Sequence, residues 1–146
     1  MVVTLMGKEK SCGAVIYKRQ KDASVKYLVL HYTAGHWDFA KGKMEKNEKE
    51  EMTAAREIKE ETAIDDIEFV DGFREIVNYY YKSGEDTIFK EVVFFLVQSA
   101  TDHVEISDEH IGYAWLNLEH AVKKLTFNNA KDLLKKADEF IKHKKE

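Results

Sequence analysis

Four runs of β-branched and aromatic residues, interrupted once by a helical period, constrain this chain more than any other feature. "CGAVIYKR" (12–19) and "VKYLVLHY" (25–32) are joined by "QKDAS" and read as a hairpin or two neighbouring strands. "DDIEFVDGFREIVNYYY" (65–81) reads as one long or bent strand and "DTIFKEVVFFLVQSA" (86–100) as another, with the turn "KSGE" between them. Between the two hairpins the period changes. From Glu48 to about Thr62, Ala54, Ala55, Ile58 and Thr62 recur at three- and four-residue spacings and form an apolar stripe, with Asn47 or its neighbours as cap. The stretch 33–47, "TAGHWDFAKGKMEKN", has two glycines and no period, and reads as a loop. After a second loop that ends in a short strand, Leu118–Leu125 reads as a short helix. Asn128–Lys142 reads as a longer one, with Ala130, Leu133, Leu134, Ala137, Phe140 and Ile141 at helical spacing. Strands mixed with helices in one core predict an α+β sandwich whose sheet lies between helical layers.

The 146 residues are the size of one domain, and 44% hydrophobic content is enough to bury a core. A net charge of -4 argues against a general binder of DNA, RNA or membrane surfaces. The longest apolar runs fall far short of the ~20 residues of a membrane span. The opening "MVVTLMGKEK" is too short and too soon charged for a signal peptide, and the single Cys12 cannot form an internal disulfide. These features predict a soluble, cytoplasmic, monomeric protein. Cys12 reads as a buried strand residue, and Trp37 and Trp115 as packing residues. His31, His103, His120 and His143 have no zinc-like spacing.

Glu57, Glu60 and Glu61 stand within two turns of one helix, directly behind Arg56. At about 100° per residue, Glu57 and Glu61 point about 40° apart and Glu60 about 60° from Glu57, so the three share a face. Glu50 joins that face from earlier turns. An ordinary solvated acidic face explains this at a cost of about 0.2–0.5 kcal/mol for each like pair. On that cost alone the solvated face is the simpler reading; the alternative is a divalent cation, since several carboxylate oxygens suit Mg²⁺ or Mn²⁺ and the cation turns repulsion into attraction.

The wider spacing separates the two explanations. Gly42, Glu48, Arg56, Glu57, Ile58, Glu60, Glu61 and Ile64 stand at the separations of the Nudix box. In that box a glycine, five residues, a glutamate, seven residues, Arg-Glu, an aliphatic, any residue and Glu-Glu come before a glycine and a last aliphatic. Ala63 stands where the box has its last glycine. The segment resembles the Nudix family at odds on the order of 10⁻⁷ per starting residue against chance. The resemblance implies an α/β/α sandwich with a mixed sheet, and hydrolysis of a nucleoside diphosphate linked to another group. It also implies Glu57 and Glu61 as principal Mg²⁺ ligands, Glu60 sharing a second ion or a bridging water, and Arg56 holding Glu48 so that loop and helix are fixed together. Mn²⁺ is an alternative ion.

Three flanking segments, 35–45, 72–80 and 106–127, resemble the asymmetrical diadenosine tetraphosphate hydrolases of the animal and archaeal type, and that similarity runs from Ser11 to Phe140. A tandem proline of that group is replaced here by Phe39 and Ala40. The likeness implies Glu109 as a further carboxylate, either metal ligand or general base. It implies His36, Lys41 and Lys90 against the polyphosphate, and Tyr79 and Phe127 on the two faces of an adenine ring. The structural alternatives are a loop acid at Glu109, solvated lysines, a core ring at Tyr79 and a helix-start staple at Phe127. The implied reaction gives ATP and AMP. Other nucleotide substrates (a nucleotide sugar, an oxidised nucleoside triphosphate, the 5′ end of RNA) or a non-catalytic nucleotide sensor remain open at this point.

Overall fold

A computed structural model describes residues 5–144. The first four residues of the opening segment weighed as a signal peptide lie outside the described residues. In chain order the elements are β1 (Leu5–Arg19), β2 (Val25–Tyr32), β3 (Trp37–Asp38), β4 (Ala40–Lys43), α1 (Glu50–Thr62), β5 (Ile67–Phe69), β6 (Glu75–Ser83), β7 (Asp86–Ser99), β8 (His110–Leu116), α2 (Leu118–Lys124) and α3 (Asn128–His143).

β1 organises the sheet. It runs parallel to β7 from Leu5 opposite Thr87 to Tyr17 opposite Gln98. Its far end pairs antiparallel with β2, Tyr17 opposite Tyr27, and its middle pairs antiparallel with β4, Ser11 opposite Lys43. β7 carries β6 and β5 as antiparallel partners, and β2 carries β3 and β8. The result is a mixed eight-stranded sheet.

Side chains alternate across a strand, so β1 and β7 each feed two cores. Val15, Tyr17, Val92, Phe94 and Leu96 face α2 and α3, where Ala121, Leu125, Leu133, Leu134 and Ala137 cover them. Cys12, Ala14, Ile16, Val93 and Val97 face α1, packing on Ala54 and Ile58. The α/β/α layering expected from the pattern is therefore the observed one. Among the described residues no helix is long and apolar enough to cross a membrane.

Four local expectations change. The stretch 33–47 is more than a loop: β3 and β4 are two and four residues long, too short to display a period, and exist by pairing with β2 and β1. The run 65–81 is two strands, because Gly72 takes φ +93° and turns the chain between β5 and β6. Asn47 does not cap α1. It adopts φ +69°, and its neighbour Lys49 occupies the cap position without a side-chain bond. Ala55 is only partly buried, and the stripe is widened by Thr53 and, unexpectedly, by Glu61. Ala63 ends α1 at φ 65°, the left-handed region in which glycine is the usual occupant. Cys12 is fully buried on β1. Trp37 stacks on His31 at 4.4 Å, and the Trp115 indole donates to the Asp102 carbonyl at 2.9 Å.

Candidate active site

The box residues converge where β4 meets α1. Arg56 donates from Nε to Glu48 Oε2 at 2.7 Å and from Nη2 to Glu48 Oε1 at 3.0 Å. The same Nη2 reaches the Lys43 carbonyl at 2.9 Å, and Nη1 reaches Glu57 Oε1 at 2.8 Å. One guanidinium thus ties the end of β4, the loop and the helix together, and its planar fork holds Glu57 in one orientation. Glu48 also accepts from the Glu45 N–H and the Thr53 hydroxyl, each at 2.8 Å. With Arg56 as the largest cause, the Glu48 carboxyl is held down at about 2. These contacts raise the already high pKa of Arg56 further, so it stays charged.

Gly42 faces this knot from β4. A Cβ at that position would fall on the Glu57 carboxyl group, so the absent side chain is what lets Glu57 lie against the strand. Glu61 follows one turn later and is 1% exposed. Burial first, then Glu57 and the charge of Glu109, push its carboxyl upward. The Tyr32 hydroxyl donates to the Phe39 carbonyl at 2.6 Å and lies 3.4 Å from Glu61 Oε1. His110 Nε2 stands 3.2 Å from the same oxygen. Burial is the largest cause in both groups, holding the His110 imidazole pKa down and the Glu61 carboxyl up. Glu61 Oε2 and His110 Nε2 are buried without hydrogen-bond partners among the described residues.

A buried, unpartnered carboxylate oxygen beside a second carboxylate, with a third acid close enough to raise its pKa, is a poor arrangement for an apo protein and a good one for a hard cation. Glu57, Glu61 and Glu109 therefore suit a Mg²⁺-like ion by donor type. Among the described residues, however, no three His, Cys, Asp or Glu groups stand close enough to hold an ion by themselves. Glu60 is drawn away from the pair: it is exposed, and its carboxylate lies 3.3 Å from Arg56. Glu50 is also apart, engaged by Lys10 at 2.6 Å and Arg74 at 2.8 Å.

A second feature opens on the other face of the sheet. A cavity of about 580 Å³ is lined by His36, Asp38, Lys41, Val77, Tyr79, Val92, Phe94, Phe127 and the first turn of α3. Four residues singled out in the sequence meet there, although they come from the β2–β3 connection, β4, β6 and the cap of α3. Tyr79 and Phe127 keep 37% and 47% of their surface exposed, so neither is a core ring. His36 stacks on Tyr32 at 4.5 Å and tilts toward Phe127 at 5.5 Å. Lys41 is matched by Asp38 at 3.1 Å. Lys90 does not line this cavity. It lies at the next position along β7, buried, opposite Tyr79 on β6, with Glu9 at 3.4 Å.

Sequence reasoning missed Asp38, Tyr32 and His110. Asp38 stood three residues before Lys41, a spacing that does suggest a pair; Tyr32 and His110 carried no local signal, because only the pairing of β2 with β8 brings them together.

The chain is 31% identical over 143 residues to the mouse protein named bis(5'-nucleosyl)-tetraphosphatase (asymmetrical), covering 90% of this chain and 95% of the relative. It is 31% identical over 137 residues to the Caenorhabditis elegans protein of the same name, covering 90% and 96%. The solved structure of a C. elegans Ap4A hydrolase binary complex superposes with a TM-score of 0.80 at 28% identity, over 92% of this chain and 98% of that one. The family model described as NUDIX domain matches residues 7–137, and the chain belongs to the Nudix family of hydrolases.

Proposed function

We propose that residues 1–146 form a single-domain, Mg²⁺-dependent hydrolase that cleaves diadenosine tetraphosphate asymmetrically to ATP and AMP, acting as a cytoplasmic monomer without DNA or membrane partners. One observation carries the reading. The cavity gathers two exposed aromatic rings with His36 and Lys41, and the strand that bears Lys41 also bears Gly42, against which Glu57 rests from the opposite side. A nucleoside seated between Tyr79 and Phe127 would therefore extend its phosphates past β4 toward the acidic pair. The relatives named for this reaction support the same substrate.

In this reading Glu57 and Glu61 hold the cation, with Glu109 as further ligand or as the base that takes a proton from the attacking water. Glu60, on the exposed side of Arg56, would bind through water or a second ion. Mn²⁺ is the alternative metal. When bound, the metal neutralises phosphate oxygens and lowers the pKa of a bound water. The protein's own share is positional. Arg56 and Glu48 fix the direction of Glu57, and Tyr32 and His110 wall off Glu61 from solvent. Lys41 places positive charge where charge builds on the transferring phosphoryl group. Lys90 adds positive charge further along β7, opposite Tyr79. The aromatic pair binds a base by stacking, about 1–3 kcal/mol per contact, which needs few directed hydrogen bonds.

The test is a panel of dinucleoside polyphosphates, a nucleotide sugar, ordinary and oxidised nucleoside triphosphates and a 5′-triphosphorylated RNA, each with Mg²⁺ and with product identification. Diadenosine tetraphosphate should show the highest kcat/KM. Preference for any other member of the panel would replace this substrate, and no turnover of any would reject the reading.

A further inference from the structure

Every lysine beside the polyphosphate path already has an internal anion. Lys41 has Asp38, which is 5% exposed and fixed by accepting from the Phe39 N–H at 2.8 Å. Lys43 and Lys90 share Glu9: Lys43 Nζ is 3.0 Å from Glu9 Oε1, and Lys90 Nζ is 3.4 Å from Glu9 Oε2. Each carboxylate oxygen takes one ammonium, as two oxygens of a phosphate would.

The register places this group in line with the cavity. Glu9 on β1 is opposite Lys90 on β7, and Lys90 is opposite Tyr79 on β6, so the three form one row across the sheet. Lys41 and Lys43 are two residues apart on β4 and share a face, as do Lys90 and Val92 on β7. Lys41, Tyr79 and Val92 line the cavity. Ser11 shares the face of Glu9, and its buried hydroxyl has no partner among the described residues. A counter-ion needed only for the buried Lys90 would leave Lys43 aside, since that side chain is 70% exposed and has little burial to offset.

We propose that Glu9 is a specificity-determining residue: as an internal anion on Lys43 and Lys90 it competes with the polyphosphate, and so sets affinity and the phosphate-chain length the site prefers. The proposal rests on the reading that a polyphosphate lies along Lys41 and Lys90. Glu9 differs from Asp38 in freedom, because its side chain is 24% exposed and can turn away when phosphate arrives. A hydrogen bond from Tyr81, then Lys43, hold its carboxyl down at about 2, so it remains an anion at any working pH. One carboxylate matches two ammonium groups, and a longer phosphate chain has more to gain from the pair once Glu9 is gone.

The experiment compares wild type, Glu9→Gln, Tyr81→Phe, Lys90→Met and Glu9→Gln/Lys90→Met on diadenosine tri-, tetra- and pentaphosphate, and titrates inorganic tripolyphosphate calorimetrically at low salt. Glu9→Gln should lower KM by about three- to tenfold with kcat within about twofold, most for the pentaphosphate, and should tighten tripolyphosphate binding. Tyr81→Phe, an isosteric loss beside the strand, should move KM the same way by less, and provides the readout if Glu9→Gln does not fold. Adding Lys90→Met should abolish the gain. An unchanged or raised KM in Glu9→Gln, while Lys90→Met alone raises KM, would overturn the role of Glu9 and leave the substrate reading standing. Wild type that neither cuts a dinucleoside polyphosphate nor binds tripolyphosphate would overturn both.

Discussion

The two faces of the sheet carry opposite kinds of order. On the α1 face, a guanidinium and two carboxylates lock one another at 2.7–3.0 Å beside a missing Cβ, and a buried acid is left with one oxygen unpartnered among the described residues. On the α3 face, aromatic rings remain half exposed around an open cavity, and the cations are loosely matched by carboxylates. The first face gathers carboxylates, one of them buried with an unpartnered oxygen; the second presents stacking surface and lysines. The proposed function assigns chemistry to the rigid face and recognition to the open one, with β4 as the partition between them.

That division predicts a split in kinetic constants. Glu57→Gln should lower kcat by on the order of 10³-fold while leaving the circular dichroism spectrum intact; turnover like wild type would break the assignment of the acidic face. Gly42→Ala should lower kcat by about 10–100-fold, the range for disturbing a group that orients a metal ligand, because its Cβ displaces the Glu57 carboxylate. Phe127→Ala belongs to the other face, and steady-state kinetics should show KM raised by the equivalent of about 1–3 kcal/mol with kcat nearly kept. A large kcat loss there would erase the distinction between faces.

A pH titration of stability sharpens the rigid face. The Glu48 carboxyl sits at about 2 in the folded state, below its unfolded value, so its contribution is fully present above the unfolded pKa of about 4.3. It is lost as pH falls toward 2. Acid unfolding curves of Arg56→Lys should show a smaller loss over that window, because the fork that depresses Glu48 is gone. The smallest effect is at the helix end. Ala63→Gly should raise stability by about 0.5–1 kcal/mol in urea unfolding, since Ala63 sits at φ 65° where glycine is unstrained.

The same contrast governs what could be read from the chain. The acidic face is written in one segment, Gly42 to Ile64, and helical geometry alone puts Glu57 and Glu61 together, so spacing carried it. What spacing could not carry was burial: Glu61 is enclosed because β8 returns beside β2 and brings His110, a contact between residues 49 apart in sequence. The open face draws on residues 36 to 133, and His36, Lys41, Tyr79 and Phe127 were named by the likeness of the flanking segments, with no spacing of their own to join them. The runs 25–32 and 86–100 were legible to within a residue, whereas β1 begins at Leu5, seven residues before the run read from Cys12, and β3 and β4 owe their existence to partners and left no period. The break between β5 and β6 was signalled by Asp71–Gly72, inside a run that apolar content alone made continuous. Glu9 carried no signal, since a charge between two lysines near the start of a chain looks like any solvated strand end.

Hydrolysis of diadenosine tetraphosphate in ¹⁸O-enriched water with Mg²⁺, followed by mass spectrometry of the products, tests the union of the two faces most directly. The account predicts ATP and AMP in equal amounts, with one labelled oxygen in one of them; two molecules of ADP, or label in ADP, would contradict it.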